Sequence, residues 1–165
     1  MRNMEELGYS IAEPYVDVTQ PPFEVVGRWH RQLGRISLAM DQANDPSYPL
    51  GKEVLPGEAR FELSRMVEDA ILLLHWLDVD DPVAEFLAEY KRAAVKHPGM
   101  TLDADGHTDE SRFYALAEEV GEVAAALTYD NAQGTGHNAN LVSEVTQVGG
   151  LALAWLTRYQ DEEEA

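Results

Sequence analysis

Five oxygen-bearing side chains stand at spacings that can do chemistry. Glu118, Glu119 and Glu122 fall in the run Leu116-Ala117-Glu118-Glu119-Val120-Gly121-Glu122-Val123. Glu144 and Gln147 fall in a second apolar run, residues 141–156. On a helix, positions three and four apart share a face, so each set projects from one side. Like charges at those spacings destabilise an isolated helix by a few tenths of a kcal/mol per pair, roughly. A divalent cation would relieve that repulsion. Two antiparallel helices with these sites facing each other would form an oxygen cage suited to Mg²⁺, a hard cation that takes carboxylate and amide oxygens.

The pattern resembles a known family. Glu118-Glu119-Val120-Gly121-Glu122 reads as E-E-x-x-E, and after 21 intervening residues comes Glu144-Val145-Thr146-Gln147. This looks like the MazG-like all-α nucleoside triphosphate pyrophosphatases, whose signature is E-E-x-x-E followed by E-x-x-D. The resemblance covers residues 96–158. Arg112-Phe113-Tyr114-Ala115-Leu116 precedes the first motif, and Leu151-Ala152-Leu153-Ala154-Trp155-Leu156 follows the second. The departure is Gln147, where the family pattern has Asp. An amide can ligate through its oxygen but brings no charge, so Gln147 either holds metal less tightly or contacts substrate instead.

The resemblance implies an enzyme that hydrolyses a nucleoside triphosphate, standard or modified, to the monophosphate and pyrophosphate. It implies Mg²⁺, with Mn²⁺ as a substitute, held by Glu118, Glu119, Glu122, Glu144 and Gln147. Glu119 or Glu122 is the expected catalytic base. It also implies a homo-oligomer, a dimer or tetramer, with sites between packed helices. Lys96, Arg112 and Arg158 flank the motif helices and are the expected phosphate contacts. Trp155, two turns beyond Gln147, is the aromatic expected to line a base pocket, although all three tryptophans also sit at core spacing.

The elements that must position these residues read as helices. Apolar positions recur at helical spacing over residues 23–42, 57–78 and 82–96, and in the two motif segments, about 109–129 and 140–159. Pro22, Asp81-Pro82, Thr108 and either Asn138 or Asn140 supply start signals. No stretch alternates as a strand does. The expected class is therefore all-α, a bundle of about five helices. Residues 1–20 read as an irregular arm, 21–97 as an N-terminal helical layer, 98–160 as the MazG-like pair and 161–165 as an acidic tail. Residues 65–77 line up with 144–156, setting Trp76 against Trp155 and Glu68 against Gln147, as a degenerate half-unit would. Loops are expected at 44–51, 100–107 and 130–138.

Charge narrows the partners. The net charge is −18 across 165 residues, which argues against nucleic acid, since phosphate binding wants a basic face. No apolar run approaches 20 residues, so no membrane span is expected. Met1 to Glu6 lacks the pattern of a signal peptide. The chain has no cysteine, which fits a reducing cytoplasm. A second reading follows from the same charge: a non-catalytic acidic helical protein, a pseudo-enzyme or decoy, that binds a basic partner.

Overall fold

A computed structural model describes residues 4–44, 56–134 and 139–159. Most of the loop expected over 44–51, the 135–138 part of the glycine-rich connection and the acidic tail lie outside these residues. Among the described residues the structure is all helical. The elements are α1 (Met4–Ala12), a 3-10 turn (Glu13–Tyr15), α2 (Pro22–Asn44), α3 (Gly57–Trp76), α4 (Pro82–Lys96), α5 (Asp109–Ala126), α6 (Tyr129–Ala132) and α7 (Leu141–Arg158). The five long helices match the expected segments, and α1 and α6 bring the count to seven.

The caps explain the boundaries. Thr108 accepts the Ser111 N–H, Asn140 the Ser143 N–H, and Asp81 the Ala84 N–H. Each satisfies a donor that the first helical turn leaves free. The first motif helix stops at Ala126, because Thr128 caps a new turn by accepting the Asn131 N–H. The Asn131 side chain then holds the backbone of Ala126 and Ala139, joining the two ends of the connection.

α7 is the central strut. It packs on α3, α5 and α4, while α2 packs on α3 and α5. Its midpoint needs glycine: a Cβ at Gly149 would lie 2.3 Å from the Phe86 ring of α4 and 2.9 Å from Ala70 of α3. The core runs from Trp29 and Ile36 of α2, through Met66 and Leu73 of α3, to Val148 and Trp155 of α7.

Within the arm expected over 1–20, residues 4–15 are not irregular but form α1 and the 3-10 turn. α1 buries Met4 and Leu7 and lies so close to α4 and α7 that a Cβ on Gly8 would meet Val83 at 2.8 Å and Leu153 at 3.1 Å. So short a helix gains its stability from packing, which local sequence does not display. Trp76, one of the three tryptophans at core spacing, is turned out at 46% exposed, as is Phe61, an apolar position of the same helix, at 63%. The likeness between residues 65–77 and 144–156 therefore breaks at its tryptophan, since Trp155 is fully buried.

Candidate active site

A cleft of about 570 Å³ opens between α4, α5, α7 and the segment that follows α4. Its size is within the range of small-molecule sites. From α5 it takes Ala115, Glu118 and Glu119; from α7 it takes Gln147, Gly150, Leu151 and Ala154. These positions recur at three and four residues, so one face of each motif helix forms a wall. α4 adds Glu89, Tyr90, Arg92, Ala93 and Lys96, and the chain beyond it adds His97, Met100, Thr101 and Leu102.

The carboxylates gather at one end. Glu119 is half-buried, and its carboxyl is pushed up to about 7, first by burial and then by the charges of Glu144, Glu118, Glu122 and Glu89. Glu144 is raised by burial and by Glu122 and Glu89. Like charges and lost hydration both disfavour ionisation, and no cation offsets them at Glu119. Among the described residues, none of Glu118, Glu119, Glu122 and Glu144 forms an ion pair. The Gln147 amide donates to Glu144 at 3.0 Å, so one expected ligand is tied to another.

The first helical hairpin handles its charges differently. Asp69, 2% exposed, accepts from Arg28 at 2.8 Å and from Gln32 at 2.9 Å. Glu62 faces Arg35 at 3.4 Å. Glu68, the counterpart of Gln147, accepts from Tyr15 and Arg65, both at 2.8 Å. Arginines neutralise these acids of the first hairpin, whereas among the described residues Glu118, Glu119, Glu122 and Glu144 have no such partner.

No protein-family model, no curated protein and no solved structure matches this chain. The cleft's chemistry must be read from its own residues.

The structure brings Glu118, Glu119 and Gln147 into the cleft and sets Glu122 and Glu144 beside it. Of the expected substrate contacts it brings only Lys96. Arg112 is 1% exposed and turned away; its guanidinium donates to the carbonyls of Leu102 at 2.6 Å and Ala104 at 2.7 Å and to Asp109 at 3.0 Å. It stands two turns before Glu119 on nearly the same side of α5, but its guanidinium is spent on the segment that follows α4. Arg158 is held by Asp105 at 2.6 Å and lies over the Tyr159 ring. Trp155 is core, its indole N–H donating to Asp109 at 3.3 Å. Its neighbour Ala154 takes the cleft position, one residue of rotation away.

Glu89 is the residue that sequence reasoning missed. It belongs to neither acidic motif, is bonded to Arg92, and comes to the other carboxylates only through the packing of α4 on α7. The one signal available was its place on the polar side of an amphipathic helix.

The donor set suits a hard divalent cation in kind, being carboxylates and one amide oxygen. Among the described residues, however, no three His, Asp or Glu side chains form a group that could hold an ion by themselves. Mg²⁺ does not require such a cage, because it usually keeps several waters and shares its sphere with substrate phosphates. None of the described helices is long and apolar enough to cross a membrane.

Proposed function

We propose that the protein hydrolyses a nucleoside triphosphate, standard or modified, to the monophosphate and pyrophosphate. The observation that carries this reading is the setting of Glu119: half-buried in a cleft, ringed by Glu89, Glu118, Glu122 and Glu144, and pushed up to about 7 with no cation beside it. Mg²⁺ held by Glu118, Glu119, Glu122 and Glu144, with the Gln147 amide oxygen, would neutralise the triphosphate and polarise its α-phosphorus. A carboxylate of this group not fully used as a ligand, Glu119 or Glu122, would take the proton of the attacking water. Water adds to the α-phosphorus, the α–β anhydride bond breaks, and pyrophosphate leaves. The apolar wall of Leu102, Ala115, Leu151 and Ala154 shields one side of the ligand from solvent.

The test is pyrophosphate release from a panel of NTPs and dNTPs with Mg²⁺, with Mn²⁺ and with EDTA. Metal-dependent release is expected, falling about 100-fold or more in Glu119→Gln. Silence across the panel, or full activity in that variant, overturns the reading. The Gln147–Glu144 bond favours one alternative, the non-catalytic acidic protein with a basic partner. That reading predicts binding that weakens steeply with salt and no divalent effect on stability.

A further inference from the structure

The packing of α4 on α7 decides which of their residues meet. A Cβ on Gly149 would strike the Phe86 ring, and one on Gly150 would lie 3.6 Å from the Phe86 carbonyl oxygen. Val83 and Leu153 both close on Gly8 of α1. Contacts that pair 83 with 153 and 86 with 150 make the two helices antiparallel. Glu89 follows Phe86 by three residues, and Gln147 precedes Gly150 by three. Helical neighbours at that spacing share a face, and each step is about 4.5 Å in the same direction along the pair. Glu89 therefore comes level with Gln147, and both line the cleft.

Position 147 is where the second motif carries an amide in place of a carboxylate, and that amide donates to Glu144. Glu89 restores the missing charge from another helix. Its charge reaches Glu119 of α5 and Glu144 of α7 alike. Among the described residues α4 packs on α7, α3 and α1 but not on α5, so Glu89 and Glu119 meet across open cleft. The partner of Glu89 is Arg92, one turn on and 68% exposed. A pair of that kind contributes little energy, so the carboxylate is free to turn to a cation at small cost.

We infer that Glu89 is a metal ligand of the cleft, supplying from a third helix the carboxylate that position 147 lacks. This inference rests on the metal-dependent reading of the cleft. A hard cation is held more tightly as the charge of its oxygen ligands rises. Drawing on α4, α5 and α7 together, it offsets the repulsion that Glu89, Glu118, Glu122 and Glu144 impose on Glu119. It also fastens the second half of α4 to α5, a helix that α4 does not otherwise touch.

The experiment moves the charge from one helix to the other. Wild type, Glu89→Gln, Gln147→Asp and the double variant are titrated with Mg²⁺, read as a thermal shift, and with Mn²⁺, read from the resonance of the free ion. Pyrophosphate release is followed on the same four proteins. Glu89→Gln should weaken metal binding about 10-fold or more. Its metal-free Tm should be no lower than that of wild type, because a like charge has gone. The double variant, whose carboxylate now stands on α7, should return close to wild-type affinity, a coupling that independent sites do not show. Arg92→Met should not weaken binding. Wild-type affinity in Glu89→Gln overturns the inference and leaves metal-dependent hydrolysis standing if release occurs. A loss that Gln147→Asp does not restore, or that Arg92→Met reproduces, makes Glu89 a positioning residue and overturns the inference too. Restoration without release from any nucleotide supports the ligand and overturns the hydrolytic reading. Absence of metal binding in wild type, with and without nucleotide, overturns both.

Discussion

Arg112 Nε donates to the Leu102 carbonyl at 2.6 Å, tying the helix of the first acidic motif to the segment that walls the cleft. The same guanidinium holds Ala104, and Tyr90 and Arg158 hold Asp103 from the other side. The stretch that reads as a polar loop is thus fastened on two flanks. Arg112→Met removes a buried charge with three partners and leaves two carbonyls without donors. The expected loss is about 3 kcal/mol, from the value of hydrogen bonds to charged groups and the cost of unmet acceptors. Urea unfolding measures it, and a change below about 0.5 kcal/mol, the usual surface scatter, would show that the anchor is idle.

Glu119 sets a pH dependence whose sign can be worked out. Its carboxyl lies at about 7 in the folded chain against an ordinary 4.5, so between those values the folded state binds the extra proton. Stability then falls as pH rises through that window, because the unfolded state holds fewer protons there. Glu119→Gln should raise the melting temperature at pH 8 and flatten its decline between pH 4.5 and 7. A variant no more stable than wild type at pH 8 would remove the charge repulsion argued for this end of the cleft. A more stable variant without activity is the usual signature of a strained functional group.

Divalent binding should act on the same repulsion. At ten times its Kd, Mg²⁺ stabilises by about 1.4 kcal/mol, which for a chain of this size raises Tm by about 3 to 6 °C. Gln147→Asp sharpens the test. It removes the amide that donates to Glu144 and adds a further negative charge. Without metal it should melt earlier than wild type, and with Mg²⁺ it should gain more. Equal Mg²⁺ response in the two proteins would exclude position 147 from the coordination sphere.

The arginine-filled hairpin predicts the opposite behaviour. Asp69→Ala leaves Arg28 and Gln32 facing a gap where a 2%-exposed carboxylate stood. Losing one partner of a buried pair costs about 3 to 5 kcal/mol. The loss should be the same with and without Mg²⁺, since the neighbouring acids Glu62 and Glu68 already have donors. A variant that Mg²⁺ rescues would place a cation site there as well.

Sequence spacing located the helices that pack as long amphipathic rods. It also located their starts, since Asp81, Thr108 and Asn140 announce themselves by chemistry. It placed Glu118, Glu119 and Gln147 on one wall because helical spacing decides which residues share a face. It could not separate Arg112 and Trp155 from that wall. Trp155 lies about one residue of rotation off the cleft face, while Arg112 shares nearly the same side of α5 as Glu119 and is set apart by its hydrogen bonds to the Leu102 and Ala104 carbonyls. Glu89 was illegible for a different reason: its role comes from the docking of α4 on α7, a contact between residues far apart in the chain. α1 was hidden likewise, as its helix is held by Val83 and Leu153 rather than by its own propensity.

Gly149 and Gly150 are adjacent, and their alanine variants should move in opposite directions. A Cβ at position 149 would overlap the Phe86 ring at 2.3 and 2.4 Å, with Ala70 behind it at 2.9 Å. The ring is wedged in the core at 0% exposure and has nowhere to retreat. Gly149→Ala should therefore destabilise by about 1 to 3 kcal/mol, the usual cost of overpacking. At position 150 the nearest atoms are the Phe86 carbonyl oxygen at 3.6 Å and its Cα at 3.8 Å, so a methyl fits. Gly150→Ala should stabilise by about 0.5 to 1 kcal/mol through helix propensity alone. Gly150 also lines the cleft, so the same methyl narrows it beside α4. Nucleotide KM should rise while the Mg²⁺-induced thermal shift stays at its wild-type value. If Gly150→Ala gains stability and leaves KM unchanged, the ligand does not cross α7 at this point.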